Sequence, residues 1–356
     1  MNGHQLFYLI LLMLVFPACA PEKPKDIILE ENFQSTGNTS SFPIRLSEFG
    51  FFKNPIRKLE PVAGVTPYEL NAPLFTDYAF KKRFLKLPEG TKARYNENEV
   101  LDFPKGTILI KNFFYPADFR KPEADWRIIE TRLLINTPEG WEALSYIWDA
   151  EQTEATLEIA GGAANVSWIH TDGIIRKINY HIPDKNQCKG CHNRNNEVQP
   201  IGPTARQLNK SLNNGINQLV HFQSSGILSE LPAVEKITRL ANYDHQDVDL
   251  DDRARSWLES NCAHCHRREG SAKNSGLYLL ASEKDHARLG IGKAPVAAGK
   301  GSGGLRYDIV PGNPEASILM YRIQSEDPGI MMPELGRSIV HQEGIELIRE
   351  WILRMN

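Results

Sequence analysis

The stretch IIETRLLINTPEGWEALSYIW, residues 128–148, determines the fold of the first half of the chain. Apolar and β-branched residues fill both of its ends, whereas the segment 136–140 contains the Pro and Gly that interrupt a strand. The pattern predicts a hairpin of two strands, 128–135 and 141–148, closed by that turn. The run 107–110 predicts a further strand upstream.

A second hairpin is predicted from strands at 166–170 and 174–180, which turn at Thr171-Asp172-Gly173. Turn residues are dense throughout 43–185, and apolar or alternating runs lie between them. An N-terminal antiparallel β-rich domain with a sandwich-like fold is therefore expected over residues 43–185.

Two pentads further along the chain share the spacing Cys-x-x-Cys-His, at 188–192 (CKGCH) and 262–266 (CAHCH). This spacing is typical of c-type haem attachment, in which two thiols add across the porphyrin vinyl groups and the adjacent histidine binds iron. The sequence thus predicts two covalently bound haem c groups. The residues predicted to hold them are Cys188, Cys191 and His192 for the first haem, and Cys262, Cys265 and His266 for the second.

Three other uses of these cysteines compete with haem attachment. A zinc site needs four ligands in a closed tetrahedron, and a redox Cys-x-x-Cys pair should open a helix in a βαβ unit, which neither pentad does. A structural disulfide has no cysteines left to form it, because the pentads use four of the 5 cysteines and leave only Cys19.

The pattern becomes helical after Cys188. Segments 217–222 and 251–260 carry apolar residues on one side, and 341–355 is an amphipathic helix. A helix before the pentad, a long loop region and a terminal helix are typical of a class I cytochrome c. The expected fold is therefore the β-rich domain followed by α-helical class I cytochrome c-like haem domains, with a first haem segment at 186–235 and a second domain at 236–356.

The sixth ligand of the second haem is predicted in the run Met331-Met332-Pro333, shortly before the terminal helix. Met332 is chosen because it precedes the proline, with Met331 in reserve. Methionine is also a common core residue, but its position here favours ligation. The sequence indicates the sixth ligand of the first haem less clearly. Its candidate sixth ligands are His221, His170, His181 and His245, or no residue at all, which would leave the iron open.

The N-terminus carries the apolar run 6–16 (LFYLILLMLVF) and then Pro17-Ala18-Cys19. The run is too short to span a bilayer and is typical of a signal peptide, expected over 1–19. Its end resembles a lipobox with Cys19 as the lipidated residue, although ordinary cleavage within Ala18-Cys19-Ala20 is the alternative. Residues 20–42 form a polar linker. We expect export to the periplasmic side of a Gram-negative bacterium, with the membrane contacted by the lipid anchor alone.

The charge balance adds one exclusion. A formal net charge of -3 over 356 residues provides no basic surface field for nucleic acid. A nucleic-acid partner is therefore not expected.

Six stretches carry a resemblance to a family. They are PYELNAPLFTDYA (67–79), FPKGTILIKNF (103–113), NQCKGCH (186–192), IGPTARQLN (201–209), NCAHCH (261–266) and MMPELGR (331–337). From about Leu46 onward the chain resembles a poorly characterised family of bacterial dihaem c-type cytochromes with an N-terminal β-rich region. The resemblance implies two haems on the two pentads, export, and pairing with a parallel β-helix repeat protein.

The function expected from these observations is electron transfer between periplasmic redox partner proteins, by an electron carrier rather than a turnover enzyme. Two alternatives stay open. One is a dihaem peroxidase-like oxidoreductase with an open first haem, and the other is a binding module in which the β-rich domain recognises a partner and the haems serve as a relay.

Overall fold

A computed structural model describes residues 42–296 and 298–356. Its strands are β1 (Val65–Tyr68), β2 (Phe80–Lys86), β3 (Ala93–Arg94), β4 (Ile108–Pro116), β5 (Trp126–Thr137), β6 (Gly140–Trp148), β7 (Ala155–Glu158), β8 (Gly162–Ile169), β9 (Ile175–Ile182), β10 (Asn193–Arg194), β11 (Glu197–Val198) and β12 (Leu228–Ser229). Its α-helices are α1 (Lys185–His192), α2 (Ala205–Leu208), α3 (Gln218–Ser224), α4 (Leu250–Asn261), α5 (Ile318–Ile323) and α6 (Gln342–Leu353).

A six-stranded antiparallel sheet in the order β1-β2-β4-β5-β6-β7 forms the largest element. The pairing of β5 with β6 confirms the predicted hairpin at 128–148. One side of the sheet buries Ile110, Leu133 and Leu144 together with the segment that precedes β1. The opposite side packs against elements from the second half of the chain, since strand side chains alternate between faces.

The second predicted hairpin also forms, because β8 pairs with β9 in antiparallel register. These two strands make a separate ribbon. Val166, Trp168 and Tyr180 of the ribbon are buried against Phe113 and Ile129 of the large sheet. The ribbon therefore covers part of one sheet face, where a sandwich would place a second full sheet.

The expected class I cytochrome c-like α-helical domain is wrong. Helix of all kinds, 3-10 turns included, accounts for 22% of the described residues; the six α-helices are short, and the longest, α4 and α6, have 12 residues each. The predicted helices near 217–222, 251–260 and 341–355 do form, but the six-residue α5 is the only α-helix described between α4 and α6. Positive φ angles at Gly290, Gly292 and Gly303 explain the difference, because left-handed turns interrupt helices.

Hydrophobic clusters cross both boundaries predicted inside the folded region, at 185/186 and 235/236. Leu85 and Leu109 of the large sheet pack in one cluster with Leu208 and Phe222 of α2 and α3. Ala72 joins a second cluster built mainly on α4 and α6. The β-rich part and the segments that carry the pentads therefore share their cores.

Two findings concern the predicted membrane contact. Among the described residues, every helix is too short or too polar to cross a membrane. The predicted signal peptide at 1–19, Cys19 and the linker up to residue 41 lie outside the described residues.

Ile128→Ala tests the sheet core. Ile128, on β5 of the large sheet, is 1% exposed and belongs to the cluster that the sheet forms with the segment before β1. The substitution should lower the free energy of unfolding by about 2–5 kcal/mol, because it removes buried methyl groups and leaves a cavity. Ile174→Ala is the matched control, because Ile174 is 61% exposed. This substitution should change the free energy of unfolding, measured by urea titration, by less than about 0.5 kcal/mol. Equal effects of the two substitutions would contradict the packing.

Candidate haem site

The first pentad lies on α1, and a capping box begins this helix. Asp184 accepts a hydrogen bond from the Gln187 backbone N at 2.8 Å, and the Gln187 side chain accepts one from the Asp184 backbone N at 3.0 Å. Helical spacing then places Cys188, Cys191 and His192 on one side of α1, since residues three and four apart are neighbours on a helix. Both thiols are free.

The ring of His192 is prepared to bind a metal through one nitrogen. Its Nδ1 lies 2.7 Å from the carbonyl oxygen of Gln199, so Nδ1–H donates to that oxygen and Nε2 is the unprotonated nitrogen. Within the described residues, Nε2 has no hydrogen-bond partner. Burial lowers the pKa of His192 to about 4, which keeps the imidazole neutral at physiological pH.

The second pentad follows directly from α4, whose N-terminus is capped by Asp249. The chain turns tightly here, because the backbone N of His266 donates to the Cys262 carbonyl at 2.9 Å. Burial raises the pKa of the Cys262 thiol to about 12 and lowers the pKa of His266 to about 4. Nδ1 of His266 lies 3.3 Å from Oγ of Ser275.

The two pentads meet, although they lie far apart in the sequence. The thiols of Cys191 and Cys265 lie close enough to interact, which raises the pKa of Cys191 and lowers the pKa of Cys265, and Cys191 lines the same cavity as His264 of the second pentad. Glu99 joins the segments that follow each pentad, because it pairs with Arg194 and, at 2.7 Å, with Arg267. The fold therefore holds the two predicted attachment sites side by side.

The methionine loop, residues 331–337, is fixed by charged side chains. Nη2 of Arg337 donates to the Met332 carbonyl at 2.9 Å and to the Ser325 carbonyl at 2.8 Å. Asp77, from the β-rich part, accepts bonds from the backbone N of Ser338 at 2.7 Å and of Ile339 at 3.0 Å. The β-rich part thus anchors the loop that carries Met331 and Met332.

A cavity of about 600 Å³ lies between the large sheet, α1, α4 and the methionine loop. Its volume falls in the range of roughly 300–1,000 Å³ found for small-molecule and cofactor pockets. The predicted site residues that line it are Cys188, Cys191, His192, Met331 and Met332. From the second pentad His264 lines it, and His264 Nδ1 is buried without a hydrogen-bond partner in the described part of the chain.

The histidines considered as sixth ligands of the first haem lie in different places. His181 lines the cavity and is hydrogen-bonded at 2.9 Å to Oε1 of Gln187. His170 is buried beside Trp168, whose Nε1 donates to its Nδ1 at 3.2 Å. His245 is exposed in a turn, and His221 is half-buried on α3 next to Phe222. The cavity lining includes His181 and not His170, His221 or His245, and the ligation by His221 stays a prediction.

A cationic row on the sheet was missed from the sequence. Arg83, Lys111 and Arg132 stand opposite one another on β2, β4 and β5, and all three line the cavity. Glu130 is fully buried and pairs with Arg132. Each of the three strands contains basic residues in its sequence, but only the strand register shows which of them stand opposite one another.

The residues around the cavity fit a covalently attached porphyrin. The first pentad offers the cavity two free thiols and a histidine that burial keeps neutral, and Met331 and Met332 line the same space. Cys262, Cys265 and His266 of the second pentad are not among the residues that line this cavity, although the methionine was predicted as the ligand of the second haem. A porphyrin supplies four iron ligands itself, so the protein has to supply only the axial ones. Among residues 42–296 and 298–356, no group of three or more His, Cys, Asp and Glu side chains is placed to hold a bare metal ion.

Asp77→Ala tests the anchor of the methionine loop. The substitution leaves the amides of Ser338 and Ile339 without their acceptor, which should cost about 1–3 kcal/mol of unfolding free energy for each buried amide. Thermal or urea unfolding measures the loss. Asp172→Ala removes an exposed carboxylate paired with Arg176 and should change the stability little. An unchanged unfolding midpoint for Asp77→Ala would argue against the anchor.

Comparison of this chain with known proteins gives no match: no protein-family model fits it, no curated protein is similar to it, and no solved structure resembles it. The family resemblance drawn from the six sequence stretches therefore stays a hypothesis. The function has to be inferred from the residues and the geometry described above.

Proposed function

We propose that this protein is an exported c-type haem protein that carries two covalently bound haems and transfers electrons between partner proteins. Cys188 and Cys191 would hold the first haem and Cys262 and Cys265 the second. His192 and His266 would be the proximal iron ligands. Export with a lipid anchor on Cys19, on the periplasmic side, belongs to the same proposal.

The contact between the two pentads is the observation that carries this proposal. Cys191 and His264 line one cavity, Glu99 pairs with Arg194 and Arg267, and the thiols of Cys191 and Cys265 lie close enough to interact, so groups attached to these sulfur atoms would be neighbours. Electron transfer between two centres becomes faster as they come closer together. Neighbouring haems suit a relay, in which an electron enters at one centre and leaves from the other.

Residues of this chain would set the axial ligation of the two haems in such a relay. Hydrogen bonding of His192 Nδ1 to Gln199 orients the ring and makes Nε2 a better donor. Met332, with Met331 in reserve, would be the second axial ligand of the haem on Cys262 and Cys265. When bound, each haem supplies one-electron exchange between Fe(III) and Fe(II), with a protein electron donor and a protein electron acceptor completing the balance.

The β-rich part has a structural role in this proposal, because it forms one wall of the cavity and anchors the methionine loop through Asp77. A β-rich module that binds a partner independently is less well supported, since its core is shared with α2 and α3. Pairing with a parallel β-helix repeat protein stays a prediction from the resemblance.

The haem count tests attachment at each pentad. Wild-type protein, made in cells that attach haem c, should carry two haems by intact mass and by the pyridine haemochrome assay. The double variants C188S/C191S and C262S/C265S should each carry one haem, because each pair of thioether bonds belongs to one pentad. Two haems in either variant, or none in the wild type, would rule out the proposed attachment.

Met332→Ala tests axial ligation and the choice between relay and enzyme. In the oxidised wild type, electron paramagnetic resonance should show two low-spin haems. Met332→Ala should convert one of them to high-spin and lower its midpoint potential, within the range of about 0.8 V that axial ligands span. The control is Met320→Leu, a residue buried in the α4–α6 core that should leave both signals unchanged.

A high-spin haem already present in the wild type would contradict the relay. It would favour the alternative of a peroxidase-like oxidoreductase with an open first haem, and peroxide turnover would then be assayed. If Met331→Ala alone produced the change described for Met332→Ala, the ligand would be Met331.

A further inference from the structure

The cationic row, Arg83, Lys111 and Arg132, lies in the middle of the sheet face that borders the cavity. Backbone pairing sets Arg83 opposite Lys111 and Lys111 opposite Arg132, so three like charges occupy adjacent strands at one register position. Like charges directly opposite each other destabilise a sheet. The residues around the row on this face include the buried Leu85, Leu109 and Phe113.

The described residues offer too few acidic partners to pair with all three cations of the row. Glu130 is committed to Arg132 and also accepts a hydrogen bond from the Tyr180 hydroxyl at 2.7 Å. The nearby carboxylates Asp77 and Glu69 are engaged by backbone amides and by Lys210, respectively. Arg83 and Lys111 consequently form no ion pair with a described residue.

Without a bound anion, this excess of positive charge destabilises the folded protein. Burial lowers the pKa of Lys111 well below its usual range, and the charge of Arg83 lowers it further. Arg83, Lys111 and Arg132 are half-buried, and charges partly shielded from water are stabilised by a partner of opposite sign. An anionic group in the cavity would supply that partner.

The cationic row lies close enough to the first pentad to influence the pKa values of its side chains. Lys111 and Arg132 both help to lower the pKa of His192, and Arg132 opposes the rise in the pKa of Cys188 that burial causes. The row and the first attachment site line the same cavity.

We propose that the cationic row is a carboxylate-binding wall, occupied by the propionate groups of a haem held in this cavity. Haem carries two propionates, and the row has two cations without an acidic partner, Arg83 and Lys111. Arginine and lysine bind carboxylates through short, charge-assisted hydrogen bonds. The inference rests on the proposed function, because it requires haem in the cavity.

Lys111→Met and Arg83→Gln test the proposal in the protein loaded with both haems. Each substitution removes a positive charge beside a propionate and should shift one of the two midpoint potentials to a more negative value, because a nearby cation favours the reduced iron. Resonance Raman spectra should show a changed propionate bending band. Lys111→Arg keeps the charge and should restore wild-type behaviour.

Lys82→Met is the matched control. Lys82 lies on β2 next to Arg83 but on the opposite face, with Nζ 4.6 Å from the ring centre of Trp126. Its replacement removes the same charge from the same strand and should leave both potentials and the propionate bands unchanged. A shift equal to that of Lys111→Met would mean that net charge, and not the row, is responsible.

Further outcomes separate this inference from the proposed function. Two attached haems with unchanged potentials and bands in Lys111→Met and Arg83→Gln would overturn the propionate site alone. The absence of attached haem in the wild type would overturn both. Titration of the loaded wild type with succinate or phosphate should have no saturable effect. A saturable response that Lys111→Met abolishes would assign the row to a soluble anion and overturn the proposal.

Discussion

The backbone ladder that joins β2, β4 and β5 is the constraint on which the rest of the molecule depends. Its register buries Ile110 and Leu133 on one face and turns Arg83, Lys111 and Arg132 to the other. A slip by one residue would exchange the two faces, placing charges in the core and apolar side chains on the cavity. The cavity wall and the main core are therefore products of the same pairing.

Local sequence patterns predicted the local structure well and its assembly poorly. The two hairpins and the helices near 251–260 and 341–355 follow from short-range periodicity and turn residues, and they form. The prediction of a class I cytochrome c-like domain was wrong because it was inferred from one helix before the second pentad and one helix near residue 350, and these two helices alone do not make an α-helical domain. The glycine turns at Gly290 and Gly303 control the chain between these helices, and periodicity carries no information about them.

The candidate site also combines features that are local in the sequence with features that only the folded chain creates. Both pentads and the methionine pair were visible in the sequence, because their chemistry depends on residues close together in the chain. The contact of Cys191 with Cys265 and the alignment of the cationic row were not visible, since each joins segments that only the folded chain brings together. The role of Asp77 could not be predicted either, because nothing in the sequence around it indicates that it holds the methionine loop.

The burial of Cys262 would set an order of events if the proposed haem is attached there. Its residue is 8% exposed in the α4–α6 core, so the folded chain does not present this thiol to an attachment enzyme. Thioether formation at this pentad would then have to precede closure of the core. The polypeptide would then fold around a group it already carries, and the porphyrin would template the packing of α4 and α6 rather than enter a finished pocket.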